Sequence, residues 1–161
     1  MTAGTSALPN SQPNAFLAIF WGGLMCGAFD ISQAFVAFGI QNGARPTGIL
    51  QSVASGVLGA RAFHGGAATA ALGAVLHFFI AFGAATVYYV ASRSIPFMTS
   101  HAVISGLLYG EMVFWFMRLV VVPLSAAHQG KFTMATLITG PIGHMFLVGL
   151  PIALAVRRYS A

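Results

Sequence analysis

The chain has 161 residues, of which 58% are hydrophobic and 6% are charged. Soluble domains carry about 25% charged residues, so this chain cannot cover a water-facing surface without leaving large apolar patches. The composition excludes an ordinary soluble enzyme and a disordered chain, and it predicts one domain surrounded by the lipid bilayer. The net charge of +5 reflects a scarcity of acidic residues rather than basic clusters, which argues against a nucleic-acid partner.

Four apolar runs are long enough to cross a bilayer as helices. About 20 apolar residues span the hydrocarbon core, and backbone groups in lipid must be hydrogen-bonded within their own segment. We therefore expect an all-α, polytopic membrane protein built as a four-transmembrane-helix bundle. Residues 1–14 are polar and are predicted to form a flexible tail, and residues 15–161 to form a single transmembrane domain. The predicted helices cover residues 15–40, 67–90, 102–122 and 136–156.

The connection between the first two predicted helices is long enough to contain a short helix. Apolar residues recur at helical spacing after Pro46, and a proline often stands at the beginning of a helix. The pattern predicts an amphipathic helix over residues 47–60. This helix is expected either to lie at the membrane interface or to pack on the end of the bundle.

The first and third predicted helices share a GLxxG motif. Small residues four positions apart let helices approach closely in lipid. We expect these glycines to pack against other helices, in the same chain or in a partner. The second and fourth helices share a GxxxHxF motif, so the chain consists of two related hairpins, unless its abundant glycine and phenylalanine produce the match by coincidence. The GLxxG glycines are Gly23, Gly27, Gly106 and Gly110.

Polar side chains in the middle of the helices are predicted to form one inward-facing layer. Charged groups at that depth are costly and turn toward the interior of a bundle. We expect Asp30 to pair with Arg118 across the first and third helices, with Gln33 one turn away completing the contact. The predicted layer contains both acidic residues of the chain and consists of Asp30, Gln33, His77, Glu111, Arg118 and His144.

The predicted layer supports three interpretations. It fixes the register of the helices through hydrogen bonds, or it serves proton-linked passage of a small solute or ion, with Asp30 and Glu111 as carriers and the histidines as relays. Alternatively, His77 and His144 ligate haem in an accessory or assembly subunit of a membrane complex. A homodimer is equally compatible with the sequence. No nucleophile–base pair, phosphate-binding loop or metal-ligand spacing occurs, so we expect neither enzyme activity nor a metal site.

Three features of the sequence resemble those of a known group of proteins. They are the GxxxH helix, the glycine-rich third helix ending near Pro123, and the Gly143-His144 helix ending in Arg157-Arg158. These features are similar to small bacterial four-helix inner-membrane proteins of unknown function, remotely to the YagU-like group, although the longer loops and acidic C-terminal tail of that group are missing. The resemblance implies a bacterial cytoplasmic membrane, a cytoplasmic C-terminus and a role in acid stress.

Basic residues do not decide the orientation of the chain. The positive-inside rule compares the basic residues on the two sides of the membrane, and three are expected on each side. One side has Arg93, Arg157 and Arg158, and the other has Arg45, Arg61 and Lys131.

Overall fold

A computed structural model describes residues 13–127 and 134–160. Within these ranges the regular structure is entirely helical, and four helices are long and apolar enough to cross a membrane. This confirms the prediction of an all-α chain with four long apolar helices. The predicted tail, residues 1–14, lies outside the described residues except for its last two positions.

The helices follow the predicted order, with short additions. The helix predicted over residues 47–60 is present as α2 (Pro46–Leu58), and a 3₁₀ turn follows it at Gly59–His64. The position of α2 at a membrane interface stays a prediction. The helix α6 covers residues 134–160 and consists of Met134–His144, a π-helical turn at Met145–Gly149, and Leu150–Ser160. The other helices are α1 (Ala15–Asn42), α2 (Pro46–Leu58), α3 (Gly66–Ser94), α4 (Phe97–Ser100) and α5 (Ala102–Leu124).

Local sequence determines where α1 begins and ends. The side chain of Asn14 accepts a hydrogen bond from the N–H of Leu17 at 3.0 Å, as expected of an N-cap. The Asn14 N–H donates to the carbonyl oxygen of Tyr159 at 2.8 Å, which ties the beginning of α1 to the end of α6. Gly43 ends α1 with a φ of 63°, a left-handed conformation that glycine adopts at little cost.

The long helices pack in an order that the sequence did not reveal. α1 packs against α3 on one side and α6 on the other, α6 packs against α5, and α2 packs along α3. Between α3 and α5 lies an apolar cavity of about 410 Å³, lined by residues such as Val87 and Met112. Because this cavity separates α3 from α5, the two helices that contact each other across the interior of the bundle are α1 and α6.

The first GLxxG motif packs against α3. Gly23 and Gly27 are both buried. A Cβ on Gly23 would overlap the ring of Phe82, and one on Gly27 would lie 2.7 Å from the ring of Phe78. These glycines therefore set how closely α1 and α3 approach.

The second GLxxG motif packs in the same way against α6. A Cβ on Gly106 would lie 3.0 Å from the carbonyl oxygen of Gly149, and one on Gly110 would overlap the carbonyl of His144. Each motif thus faces the histidine-bearing helix of its own hairpin. All four motif glycines are buried within the chain itself, and docking of a partner on these helices stays a prediction.

Both α5 and α6 contain a π-helical turn that ends two residues before a proline. The turn Met117–Val121 precedes Pro123, and the turn Met145–Gly149 precedes Pro151. Proline has no N–H, and its ring clashes with the carbonyl four residues earlier, so the helix widens at that carbonyl. Such turns are frequent at functional sites, and the turn in α5 contains Arg118.

A buried tyrosine joins the end of α3 to the beginning of α5. Tyr88 is fully buried, and its hydroxyl lies 2.9 Å from the carbonyl oxygen of Met98 and 2.8 Å from Oγ of Ser105. We expect Tyr88→Phe to lower the free energy of unfolding by about 1 kcal/mol, because the hydrogen bonds of the hydroxyl are lost. Thermal unfolding in detergent measures this loss. Tyr89→Phe, at the half-buried neighbour, is the control, and an equal loss there would contradict the assignment.

Candidate functional site

One face of α1 carries polar side chains from the middle of the helix to its carboxyl end. Gln33 follows Asp30 by three residues, and Gln41 follows Gln33 by eight. These spacings place all three on the same face, because a helix turns once every 3.6 residues. At ~1.5 Å per residue the stripe extends over roughly 16 Å. It therefore connects the middle of the bundle to one of its ends.

A cleft with largely apolar walls and six polar side chains lies between this face of α1 and the first half of α6. Its volume is about 200 Å³, and Phe114 of α5 forms part of its wall. We refer to it as the polar cleft. Its polar lining consists of Asp30, Gln33 and Gln41 of α1 and of Thr136, Thr139 and His144 of α6.

Asp30 and His144 face each other in the polar cleft. Nε2 of His144 lies 3.9 Å from Oδ1 of Asp30, and the two side chains are 21% and 22% exposed, respectively. Nδ1 of His144 is 3.0 Å from the carbonyl oxygen of Gly140. A carbonyl oxygen only accepts hydrogen bonds, so Nδ1 carries the hydrogen. Nε2 is then the nitrogen with the unprotonated lone pair in the neutral ring, and it faces the carboxyl group.

Neighbouring residues hold this pair in position. The ring of Phe114 contacts the imidazole of His144 edge to face, with the ring centroids 5.2 Å apart. Gln33 lies against α6 at Gly143, where a Cβ would be 2.9 Å from Nε2 of Gln33. The glycine therefore leaves the space that the carboxamide occupies beside the pair.

The polar cleft is accessible at one end and packed at the other. Gln41 and Thr139, at the end where α1 finishes and α6 begins, are exposed. On the other side of Asp30, Cys26 is buried. Further along α1, Ala18 is fully buried, as are Ala85 of α3 and Ile152 of α6. Within the described ranges, Asp30 thus lies where the cleft meets tightly packed helices.

His77 and Glu111 lie outside the lining of the polar cleft. Nε2 of His77 donates to the carbonyl oxygen of Gly27 at 2.9 Å, between α3 and α1. Oε1 of Glu111 accepts from Nε1 of Trp115 at 2.7 Å, within α5. Of the residues in the predicted layer, the structure therefore brings together Asp30, Gln33 and His144, and it places the other two acid–base groups against separate partners.

The ion pair that the structure describes for Asp30 is with His144, because α1 packs against α6 as well as against α3. The expected pair of Asp30 with Arg118 stays a prediction. Arg118 is half-buried in the π-helical turn of α5, which also rotates the residues that follow relative to an ideal α-helix.

The histidines already have protein partners. Nε2 of His77 and Nδ1 of His144 each bond a backbone carbonyl oxygen, so haem ligation through either nitrogen would require that bond to break. Among the described residues, no group of three or more His, Cys, Asp or Glu is placed to hold a metal ion. Haem ligation stays a prediction.

Five residues at the site were not identified from the sequence. Thr136 precedes His144 by eight residues and Gln41 follows Asp30 by eleven, so a search for polar stripes on helix faces would have found these two. Thr139 precedes His144 by five residues, about 140° around an ideal helix, and gave no such signal. No such signal existed for Phe114 and Gly143, because an aromatic and a glycine are ordinary residues of apolar helices.

Comparison with protein-family models, curated proteins and solved structures finds no match to the chain. The resemblance to the YagU-like group therefore stays a prediction. Any functional conclusion rests on the geometry of the polar cleft and on the composition of the helices around it.

Proposed function

We propose that this chain is an integral membrane protein and that Asp30 and His144 form a proton-binding pair used for proton-linked passage of a small solute or ion. The four long apolar helices support the membrane location. Passage rather than catalysis is the proposed activity, because the described cleft lining combines an acid–base pair with neutral polar side chains that continue to an exposed end.

The observation that carries this proposal is the position of the pair at the inner end of a polar cleft. Ionisable groups inside a membrane domain are costly unless they are paired or reach water. In the polar cleft, Asp30 and His144 are paired because they face each other. Access to water is provided by the lining, which Gln41 continues to an exposed end.

The chemistry follows from the hydrogen bond at Nδ1 of His144. Because Nδ1 keeps its hydrogen, a proton arriving through the cleft is taken up at Nε2 of His144 or at the carboxylate of Asp30. Protonation removes the negative charge of the carboxylate or adds a positive charge to the imidazole, which changes the attraction for a cation in the cleft. Passage to the other side then requires α6 to shift relative to α1, because fully buried side chains fill the interface beyond Asp30.

Access to the polar cleft is tested by thiol labelling in lipid vesicles. After replacement of the native cysteine by Cys26→Ala, single cysteines are introduced by Gln41→Cys, Gln33→Cys and Met112→Cys. A charged, membrane-impermeant thiol reagent needs water to react with a thiolate. We expect the two cleft positions to react from the same side of the membrane. Met112→Cys, on an exposed part of the apolar α5 surface, is expected to stay unmodified.

Failure of Gln33→Cys to react, or reaction of it from both sides, would contradict a cleft that is accessible from one end. Equal reaction of Met112→Cys would show that the surface of α5 faces water and would contradict the membrane location. Reaction at Gln41→Cys alone does not show whether the cleft is accessible, because this residue is exposed at the end of α1. The reaction at Gln33→Cys is therefore decisive.

We further propose that the membrane is the bacterial cytoplasmic membrane, with the C-terminus in the cytoplasm and α2 at the interface. This orientation comes from the resemblance noted in the sequence. Labelling of Arg157→Cys, at an exposed residue near the C-terminus, tests it, because the reagent should reach this residue only from the side opposite to Gln41→Cys. In spheroplasts, where the reagent is outside, Gln41→Cys is expected to react and Arg157→Cys is not.

A further inference from the structure

A second groove between α1 and α6 lies at the opposite end of the bundle from the polar cleft. Its volume is about 400 Å³. It lies near the beginning of α1 and the end of α6, which the hydrogen bond from Asn14 to Tyr159 holds together. We refer to it as the arginine groove. Its wall includes Trp21, Met25, Leu154, Arg158 and Tyr159.

The arginine groove changes from apolar to cationic along the helices. Leu154 lies one helical turn before Arg158, about 6 Å at 1.5 Å per residue, and Met25 lies one turn beyond Trp21 toward the middle of α1. Trp21 and Leu154 are 40% and 43% exposed, so an apolar surface is open beside the arginine. A ligand that fits this surface has an anionic head and an apolar tail.

Arg158 lacks an acidic side chain of this chain to neutralise it. The two acidic residues are Asp30 and Glu111, which lie in the middle of their helices and contact His144 and Trp115, respectively. The guanidinium of Arg158 is instead placed over the ring of its neighbour, with Cζ 5.8 Å from the centroid of Tyr159. Its hydrogen-bond donors are thus complementary to an anion supplied from outside the chain.

We propose that the arginine groove binds one anionic phospholipid, with its phosphate on Arg158 and an acyl chain against Trp21, Met25 and Leu154. A guanidinium presents paired N–H groups that match the oxygens of a phosphate. Tryptophan prefers the boundary between headgroups and acyl chains, which is the position of Trp21 between the arginine and the deeper apolar residues. The apolar wall selects a lipid over a free phosphate ion.

Native mass spectrometry of the full chain in detergent tests this assignment. The protein is mixed with phosphatidylglycerol or with phosphatidylcholine of identical acyl chains. We expect phosphatidylglycerol to bind in a one-to-one ratio and phosphatidylcholine to bind more weakly. Arg158→Gln should weaken phosphatidylglycerol binding about tenfold, the loss of one charge-assisted contact. Arg93→Gln, at an exposed arginine of the same end outside the groove, is the matched control and should bind as the unmodified chain does.

Further measurements distinguish lipid binding from the binding of inorganic phosphate and from a folding defect. Inorganic phosphate at millimolar concentration should not displace the lipid, and Leu154→Ser should weaken both lipids. Arg158→Lys keeps the charge and should retain an intermediate affinity, which a folding defect would not produce. Equal binding of the two lipids, equal losses in Arg158→Gln and Arg93→Gln, or displacement by inorganic phosphate would overturn the proposal.

Discussion

Asp30→Asn is expected to reduce proton flux into liposomes by at least about 100-fold, the lower range of what a positioned proton-transfer group contributes. The substitution keeps the size and shape of the side chain, but it replaces one carboxyl oxygen by an amide nitrogen, and the amide does not take up a proton. Nε2 of His144, which lies 3.9 Å from the carboxylate oxygen of Asp30, then faces a neutral amide instead. Flux is measured with a trapped pH-sensitive dye after a potassium diffusion potential is imposed.

The matched control for this experiment is Glu111→Gln. It removes the other acidic side chain of the sequence, which bonds Trp115 within α5 and does not line the polar cleft. We expect it to retain most of the flux. Unchanged flux in Asp30→Asn, or an equal loss in both variants, would contradict a proton-binding pair in the cleft.

A second measurement separates proton binding from a general loss of structure. A hydrophobic carbodiimide modifies protonated carboxyl groups inside membranes, and it should label Asp30 more at low pH than at high pH. Labelling is read by mass spectrometry of the intact chain and its fragments. Asp30→Asn should lose this pH-dependent label while keeping the thermal unfolding temperature of the unmodified protein within a few degrees. A variant that unfolds and also loses flux would instead support a structural role for the pair.

Gly110→Ala is expected to destabilise the bundle by about 3 kcal/mol, the upper range for overpacking a well-packed interior. The added Cβ would overlap the carbonyl of His144 and approach the backbone of Met145. Backbone atoms of a helix cannot rotate away as a flexible side chain does, so α5 and α6 must move apart. The movement also displaces His144, and we therefore expect proton flux to fall together with stability.

Gly83→Ala is the matched control for the packing experiment. This glycine lies in α3, and no heavy atom outside its own stretch of helix lies within 4 Å of an added Cβ. Because alanine favours helix formation over glycine, we expect Gly83→Ala to be neutral or slightly stabilising. Thermal unfolding in detergent compares the two variants. Equal stability of Gly110→Ala and Gly83→Ala would show that the approach of α5 and α6 does not depend on the missing side chain.

Composition and hydropathy were sufficient to predict the helical segments. A chain with so few charges forms helices wherever about 20 apolar residues occur together, because backbone groups in lipid have no other partners. The short helix α2 was also predictable, since Pro46 and the helical spacing of the following apolar residues are local signals. The additional turn α4 gave no comparable signal over its four residues, Phe97–Ser100.

The sequence also indicated which polar residues to consider at the site, but not how they are paired. The depth of Asp30 and His144 follows from their positions along the helices, whereas their contact depends on α1 packing against α6. The expectation of an Asp30–Arg118 pair assumed neighbouring first and third helices and an ideal helical rotation. The structure pairs Asp30 with His144 across α1 and α6 and places Arg118 in the π-helical turn of α5; neither feature is a local property of the sequence.

The sequence by itself determined the elements of this protein: its helical class, its four long apolar helices, and the ionisable residues in the middle of them. These properties are local, because hydrophobicity and backbone hydrogen bonding act within each segment. Only the tertiary structure decided that Asp30 meets His144, that His77 and Glu111 bond elsewhere, and that the polar cleft is packed at one end. Those outcomes depend on which helices are neighbours, and that choice is made by shape complementarity between glycines and the side chains or carbonyls opposite them.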